Sequence, residues 1–220
     1  MSHKLSKEQL DSLFKDIAKE LKKRIKNKAF SYELIIVGGA SILLNYSFRE
    51  TTVDIDCLDV HDALMNEIIN YVGDKYQLLN DWINTDFIKT NSYTPKLIQY
   101  SSFYKSYANG SLVVRTIKDE YLIAMKMMAA RKYKHDYSDI FGIVKENPSL
   151  SYNDVIKAVK DLYGDTSKIS KEMNDFVRSI FEPNSISYDE LEKGEQETET
   201  ILLRKYSRKN WHIILIMIIS

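Results

Sequence analysis

The stretch Thr51-Thr52-Val53-Asp54-Ile55-Asp56, read with Val37-Gly38-Gly39-Ala40-Ser41 upstream of it, decides how this chain folds. On a strand, side chains at i and i+2 share a face. Asp54 and Asp56 are therefore expected side by side, with Val53, Ile55 and Cys57 turned into the core. Adjacent acids repel each other unless a cation sits between them. Mg²⁺ or Mn²⁺ suits a pair of hard oxygen ligands. The segment is a candidate for metal-assisted phosphoryl chemistry, with Asp54 and Asp56 as the metal ligands.

Glu33 to Val37 reads as a short apolar strand stopped by Gly38-Gly39, and Ala40 to Tyr46 as a helix that starts from the glycine turn. Glycines there let the backbone approach a phosphate, with free N–H groups at a helix start. Ser41 adds a hydroxyl. Taken alone, the segment reads first as a tight strand-to-helix turn with Ser41 near an N-cap. The dinucleotide pattern Gly-x-Gly-x-x-Gly is absent, and no P-loop Gly-Lys-Ser/Thr follows. Taken with the acids, the turn is placed to hold a triphosphate while the next strand presents metal ligands to it. A metal bridging phosphate oxygens is what phosphoryl or nucleotidyl transfer requires.

Outward from this centre, residues 6–28 read as an amphipathic helix with a Ser6/Gln9 capping box and a basic end at Lys22, Lys23, Arg24, Lys26 and Lys28. Residues 53–58 read as a strand and 61–72 as a helix. Residues 76–118 read as several strands, the clearest being Leu112 to Ile117 after the Asn109-Gly110 turn. Helices are expected over 119–132, 137–146, 152–163 and 168–181, and 184–200 reads as an acidic linker or exposed helix. The fold class is α/β (α+β): a small mixed β-sheet core flanked by helices, then a C-terminal helical region. The expected units are residues 1–150, a helical region with its acidic linker over 151–205, and an apolar tail over 206–220.

Composition narrows the class. Apolar residues make up 44% and charged residues 28%, as in an ordinary globular protein. Lys plus Arg and Asp plus Glu are 31 each, so nucleic-acid binding would need a local patch. Cys57 is the one cysteine, which excludes disulfide frameworks and suits a cytoplasmic, reducing setting. The N-terminus has no apolar h-region, so no secretory signal is expected. The run Trp211 to Ile219 is too short for a membrane span.

Further candidates lie downstream. Lys126 sits in the apolar run Leu122 to Ala130, where a lysine either snorkels to solvent or faces a polyphosphate. Arg131 and Lys134 follow. Asp136 stands where an N-cap is expected and Asp139 in the first turn after it. Trp82 and the tyrosines at 93, 100, 104 and 107 suit either base stacking or the core. His61 and His135 are too isolated for a zinc site, and Ser41 has no identifiable His partner for a hydrolase triad.

The ordered set over about residues 34–145, from Val37-Gly38-Gly39-Ala40-Ser41 and Thr51 to Asp56 through Glu120 to Lys126 and Arg131, Lys134, Asp136 and Asp139, resembles the DNA-polymerase-β-like nucleotidyltransferase superfamily. Within it, the set is most similar to the minimal nucleotidyltransferases related to AbiEii-type toxins. The resemblance implies a metal-dependent enzyme that moves an NMP from an NTP to a tRNA 3′ end or a protein side chain, as the toxin of a toxin–antitoxin or phage-defence system with an antitoxin partner. It implies triphosphate binding by Gly38, Gly39 and Ser41, phosphate contacts from Lys126 and Arg131, and Asp136 as a base or extra ligand. The superfamily's usual third carboxylate on a later strand has no clear counterpart, since Asp119 and Glu120 lie at the end of Leu112 to Lys118. A non-catalytic nucleotide- or RNA-binding protein of the same fold, or a toxin-neutralising partner, is the competing expectation.

Overall fold

Residues Tyr32–Ile36 form β1, which sends Leu34 and Ile36 into one apolar core and Ile35 into another, as the period of a strand dictates. The computed structural model describes residues 4–25, 30–58, 62–132, 134–182, 191–198 and 200–201. The expected apolar tail over 206–220, together with His61, Lys26, Lys28, Glu190 and Glu199, lies outside the described residues.

Helix α1 (Lys7–Arg24) has both halves of its capping box: Gln9 N donates to Ser6 Oγ at 3.4 Å, and Ser6 N donates to Gln9 Oε1 at 2.8 Å. It ends at Arg24, short of the expected residue 28, because Ile25 is extended. Its apolar face, with α3 (Ala63–Lys75), covers one side of the sheet.

The sheet is β1, β5 (Leu112–Ile117) and β4 (Ser101–Tyr107), with β1 parallel to β5 and β4 antiparallel to it. The hairpin between β4 and β5 turns through Asn109 and Gly110, both at positive φ, as the Asn-Gly pair led one to expect. A second, two-stranded sheet pairs β2 (Ile55–Asp56) with β3 (Ile83–Asn84) in parallel. An antiparallel bridge, Ile36 to Cys57, joins it to the edge of β1.

Two expectations are corrected here. The strand expected over 53–58 is regular only at Ile55–Asp56, and Val53 is 51% exposed rather than in the core, since the chain before β2 pairs through Thr52 with Leu5 and turns Val53 outward. Much of 76–118 is not strand. Residues Asp86–Lys89 and Pro95–Tyr100 form 3₁₀ turns. Pro95 cannot donate to a ladder, and the Thr94 side chain caps Lys96 N instead.

The C-terminal half is helical as expected: α4 (Asp119–Ala129), α5 (Asp136–Glu146), α6 (Tyr152–Tyr163) and α7 (Lys171–Ile180). Their apolar faces share one core with Ile35, Val37 and Ile117 of the sheet. Helix α4 stops at Ala130, which takes a left-handed conformation at φ 46°, short of the expected 132. Residues 191–198 are also helical. Among the described residues, no helix is long and apolar enough to cross a membrane.

Candidate active site

The bridge between the sheets sets the site. Val37 N–H donates to Asp56 O at 2.9 Å and Leu58 N–H to Ile35 O at 3.0 Å, so the end of β1 and the end of β2 are held together. The chain leaving β1 turns at Gly38 and enters helix α2 (Gly38–Asn45) directly against Asp56. Gly38 sits at φ +63°, and a Cβ there would lie 3.4 Å from Asp56 Oδ2. The positive φ favours glycine. Helix α2 has no side-chain cap at its N-terminus, because Val37 stands at the N-cap. Its first N–H groups and the helix dipole are thus directed at the space beside Asp56.

Asp56 is half-buried, and burial followed by repulsion from Asp54 pushes its carboxyl up to about 6, against the pull of Arg131 and Lys126. Asp54 is exposed and lies just ahead of β2. Asp86, at the start of the 3₁₀ turn after β3, adds to the repulsion felt by Asp56. The parallel pairing of β2 with β3 brings that turn to the acids.

A cleft of about 370 Å³ opens here, within the range of small-ligand sites. Gly38, Gly39, Asp56 and Asp86 line one side, Lys126, Arg131 and Asp136 another, and Phe87, Leu122, Met125 and Met128 give it an apolar wall.

The basic side of the cleft is a buried ion-pair network. Lys126, in the last turn of α4, is 8% exposed, with Nζ 2.9 Å from Asp136 Oδ1 and 2.7 Å from Asp139 Oδ2. Burial opposes the Lys126 charge, but Asp139 and Asp136 outweigh it and hold the ammonium above its ordinary pKa. The left-handed Ala130 swings the chain so that Arg131 meets Asp136 through its backbone N at 3.0 Å and through Nε at 2.9 Å. Arg49 Nη1 donates to both oxygens of Asp139 at 2.7 Å. Both acids are buried, which alone would raise them. Lys126 and Arg131 hold Asp136, and Lys126 and Arg49 hold Asp139, well below the usual carboxylate range. Arg49, Lys126 and Arg131 thus hold Asp136 and Asp139, with Lys126 and Arg131 on the wall of the cleft.

The structure brings most of the expected site residues together: Gly38, Gly39, Asp56, Lys126, Arg131 and Asp136 line one cleft, and Asp54 adjoins it. Ser41 is not on that wall. It is fully buried in α2, and its Oγ has no hydrogen-bond partner among the described residues. Asp136 does not cap α5; His135 is the N-cap, and the Asp136 carboxylate turns to Lys126 and Arg131. Lys134 is exposed. Asp119 accepts a hydrogen bond from Asn147 and lines a separate hollow. Trp82 is buried and donates to Ile69 O, Tyr107 is buried and donates to Asp11, and Tyr100 stacks on Tyr121 at 3.7 Å. Tyr93 packs edge-on to Phe87, which does line the cleft.

Three residues here were not singled out from the sequence. Arg49 lies shortly before the acid pair, and a lone arginine at that distance from Asp54 is the signal that was available. Asp86 carries none, since only the pairing of β2 with β3 brings it in. Glu195, expected in a solvated acidic stretch, is 6% exposed. It accepts hydrogen bonds from Tyr137 N at 2.7 Å and Ser138 Oγ at 2.5 Å, and so supplies the cap that His135 does not.

A metal fits the donor set in part. Asp54 and Asp56 are hard oxygen donors in need of a cation, whereas no group of three or more His, Cys, Asp or Glu among the described residues is arranged to hold one.

Comparison with known families and proteins bears on the same region. No curated protein and no solved structure was found to match the chain. A family model described as nucleotidyltransferase of unknown function (DUF6036) matches residues 12–196, which includes every residue of the cleft. The chain belongs to this nucleotidyltransferase family.

Proposed function

We propose that the protein transfers an NMP from an NTP to a hydroxyl acceptor in a reaction that depends on Mg²⁺ or Mn²⁺. The observation that carries this reading is the position of Gly38. An uncapped helix start lies against Asp56 Oδ2, in a cleft whose other side is the Lys126–Arg131 network. The α2 N-terminus suits the triphosphate. Arg131 and Lys126 suit its remaining charge, and the apolar wall of Phe87, Met125 and Met128 suits a base. Asp54 and Asp56 would hold the metal, which supplies charge neutralisation along the phosphates when bound. The acceptor oxygen bonds to the α-phosphorus, its proton leaves to a cleft carboxylate, and the bond to the β-phosphate breaks to release pyrophosphate. Asp136 serves as base or ligand if it is released from Lys126 and Arg131; otherwise it positions them. Ser41 joins phosphate binding only if α2 shifts to expose it. The resemblance to AbiEii-type proteins supports an RNA acceptor such as a tRNA 3′ end, or a protein side chain. It also supports a toxin role with an antitoxin partner.

The test is transfer of labelled NMP from each NTP onto bulk RNA and bulk protein with Mg²⁺ or Mn²⁺. Wild type should label an acceptor and Asp54→Ala and Asp56→Ala should not; equal labelling by all three overturns the reading. A second reading, a nucleotide- or RNA-binding protein without turnover, is favoured by the commitment of Lys126 to Asp136 and Asp139. Metal-dependent NTP binding with no transfer would select it.

A further inference from the structure

We propose that Arg49 is the positioning residue of this site: it holds the glycine turn, the acid-bearing segment and α5 in one register without touching the nucleotide. The claim rests on the nucleotidyl-transfer reading for its consequence but on geometry for its basis. Arg49 Nη1 meets both oxygens of Asp139 on α5 at 2.7 Å, and Nε donates to Thr51 O at 3.3 Å, in the segment that leads into Asp54 and Asp56. Its guanidinium packs against Gly39, where a Cβ would come within 2.7 Å of Nη2 and 2.9 Å of Cζ. The side chain is 15% exposed and faces the hollow on the far side of the network from the nucleotide cleft. Arg49 therefore acts through its neighbours. It sets Gly39 against the acid strand, and through Asp139 it sets Lys126.

A planar guanidinium is required for this. A lysine reaches Asp139 as a point charge but cannot at the same time donate to Thr51 O from a second nitrogen while filling the space beside Gly39. Gly39 is glycine for a matching reason: any side chain there displaces the guanidinium.

The experiment compares wild type, Arg49→Lys, Arg49→Ala, Gly39→Ala and Arg49→Ala/Gly39→Ala in the full chain by backbone amide exchange, binding of a fluorescent ATP analogue with Mn²⁺, NMP transfer and thermal melting. Arg49→Lys should speed exchange together at residues 38–41 and 51–56, by roughly tenfold, with the remaining amides unchanged. It should weaken analogue binding or lower kcat by about tenfold or more, since small misplacements at a reacting centre are costly. Gly39→Ala should do the same alone and add little on top of Arg49→Ala. Local exchange at both segments unchanged in Arg49→Lys overturns the proposal, as does faster exchange across the whole chain, which marks a merely structural residue. Fully additive effects of the two alanine changes also overturn it. Local exchange reads out with or without transfer. A wild type that neither binds nucleotide nor transfers NMP therefore defeats the functional reading and leaves the positioning claim to be decided by exchange.

Discussion

Ser138 donates its hydroxyl to Glu195 at 2.5 Å, and its backbone N–H lies 3.4 Å from each oxygen of the same carboxylate. A carboxylate from the C-terminal helical segment thus caps α5 at the turn that carries Asp136 and Asp139. Burial, with some repulsion from Asp139, raises Glu195 to about 7, although Ser138 and the Tyr137 N–H favour its charged form. The folded protein then holds this proton where the unfolded chain, with a carboxyl near its ordinary value, has lost it. Stability from this group is fully present below about pH 4.5 and declines as pH rises through about 7, by up to about 3 kcal/mol. Glu195→Gln keeps an accepting oxygen and removes the titration. Its melting temperature relative to wild type should rise between pH 5 and pH 8; a constant difference across that range contradicts the assignment.

The acid pair predicts an opposition between stability and function. Asp56 ionises against its burial and against Asp54, so its charge costs the folded state about 3 kcal/mol near neutral pH. Asp56→Asn should raise the metal-free melting temperature by a few degrees while abolishing transfer. Addition of Mg²⁺ with NTP should stabilise wild type and not the variant. Thermal melts with and without ligand measure both halves of this prediction.

Lys126 and Arg131 contact the same carboxylate, yet they should behave differently when removed. Lys126 is buried between Asp136 and Asp139, both fully buried. Lys126→Met strips a cation from two buried anions and should cost about 3–5 kcal/mol, read by urea denaturation. Arg131 is 42% exposed at the side chain, and its backbone N–H and Lys126 remain on Asp136 after truncation. Arg131→Ala should change stability by no more than about 1 kcal/mol and should weaken nucleotide binding about tenfold. Equal stability losses in the two variants would contradict the network as described.

The parts of the molecule governed by near neighbours were legible in the sequence. The Ser6/Gln9 box starts α1, and the expected 152–163 helix is α6 (Tyr152–Tyr163) to the residue, because caps and helical periodicity are local signals. The glycine turn and Asp56 were legible for the same reason. What could not be read is carried by contacts distant in sequence. Arg49 meets Asp139 across 90 positions, and Glu195 meets Ser138 across 57. Asp86 reaches the site only because β3 pairs with β2, each strand being too short to announce itself. The acidic composition around Glu195 pointed to solvent, whereas its contact with the first-turn N–H groups of α5 holds it in the interior.

Gly38 offers the sharpest test of the site's geometry, because its two constraints act on different quantities. Its φ of +63° disfavours any L side chain, so Gly38→Ala should cost about 1–2 kcal/mol in folding. The new Cβ would also stand 3.4 Å from Asp56 Oδ2, an ordinary contact that strains nothing but fills the space through which the α2 N–H groups face the acid. Nucleotide binding should therefore fall by more than the folding cost explains, by about tenfold or more at a temperature where the variant is fully folded. At Gly110, also at positive φ but with open space around a would-be Cβ, alanine should produce a folding cost of similar size with no change in binding. If Gly38→Ala and Gly110→Ala lose stability alike and both bind the ATP analogue as wild type does, then the start of α2 is not where the triphosphate sits.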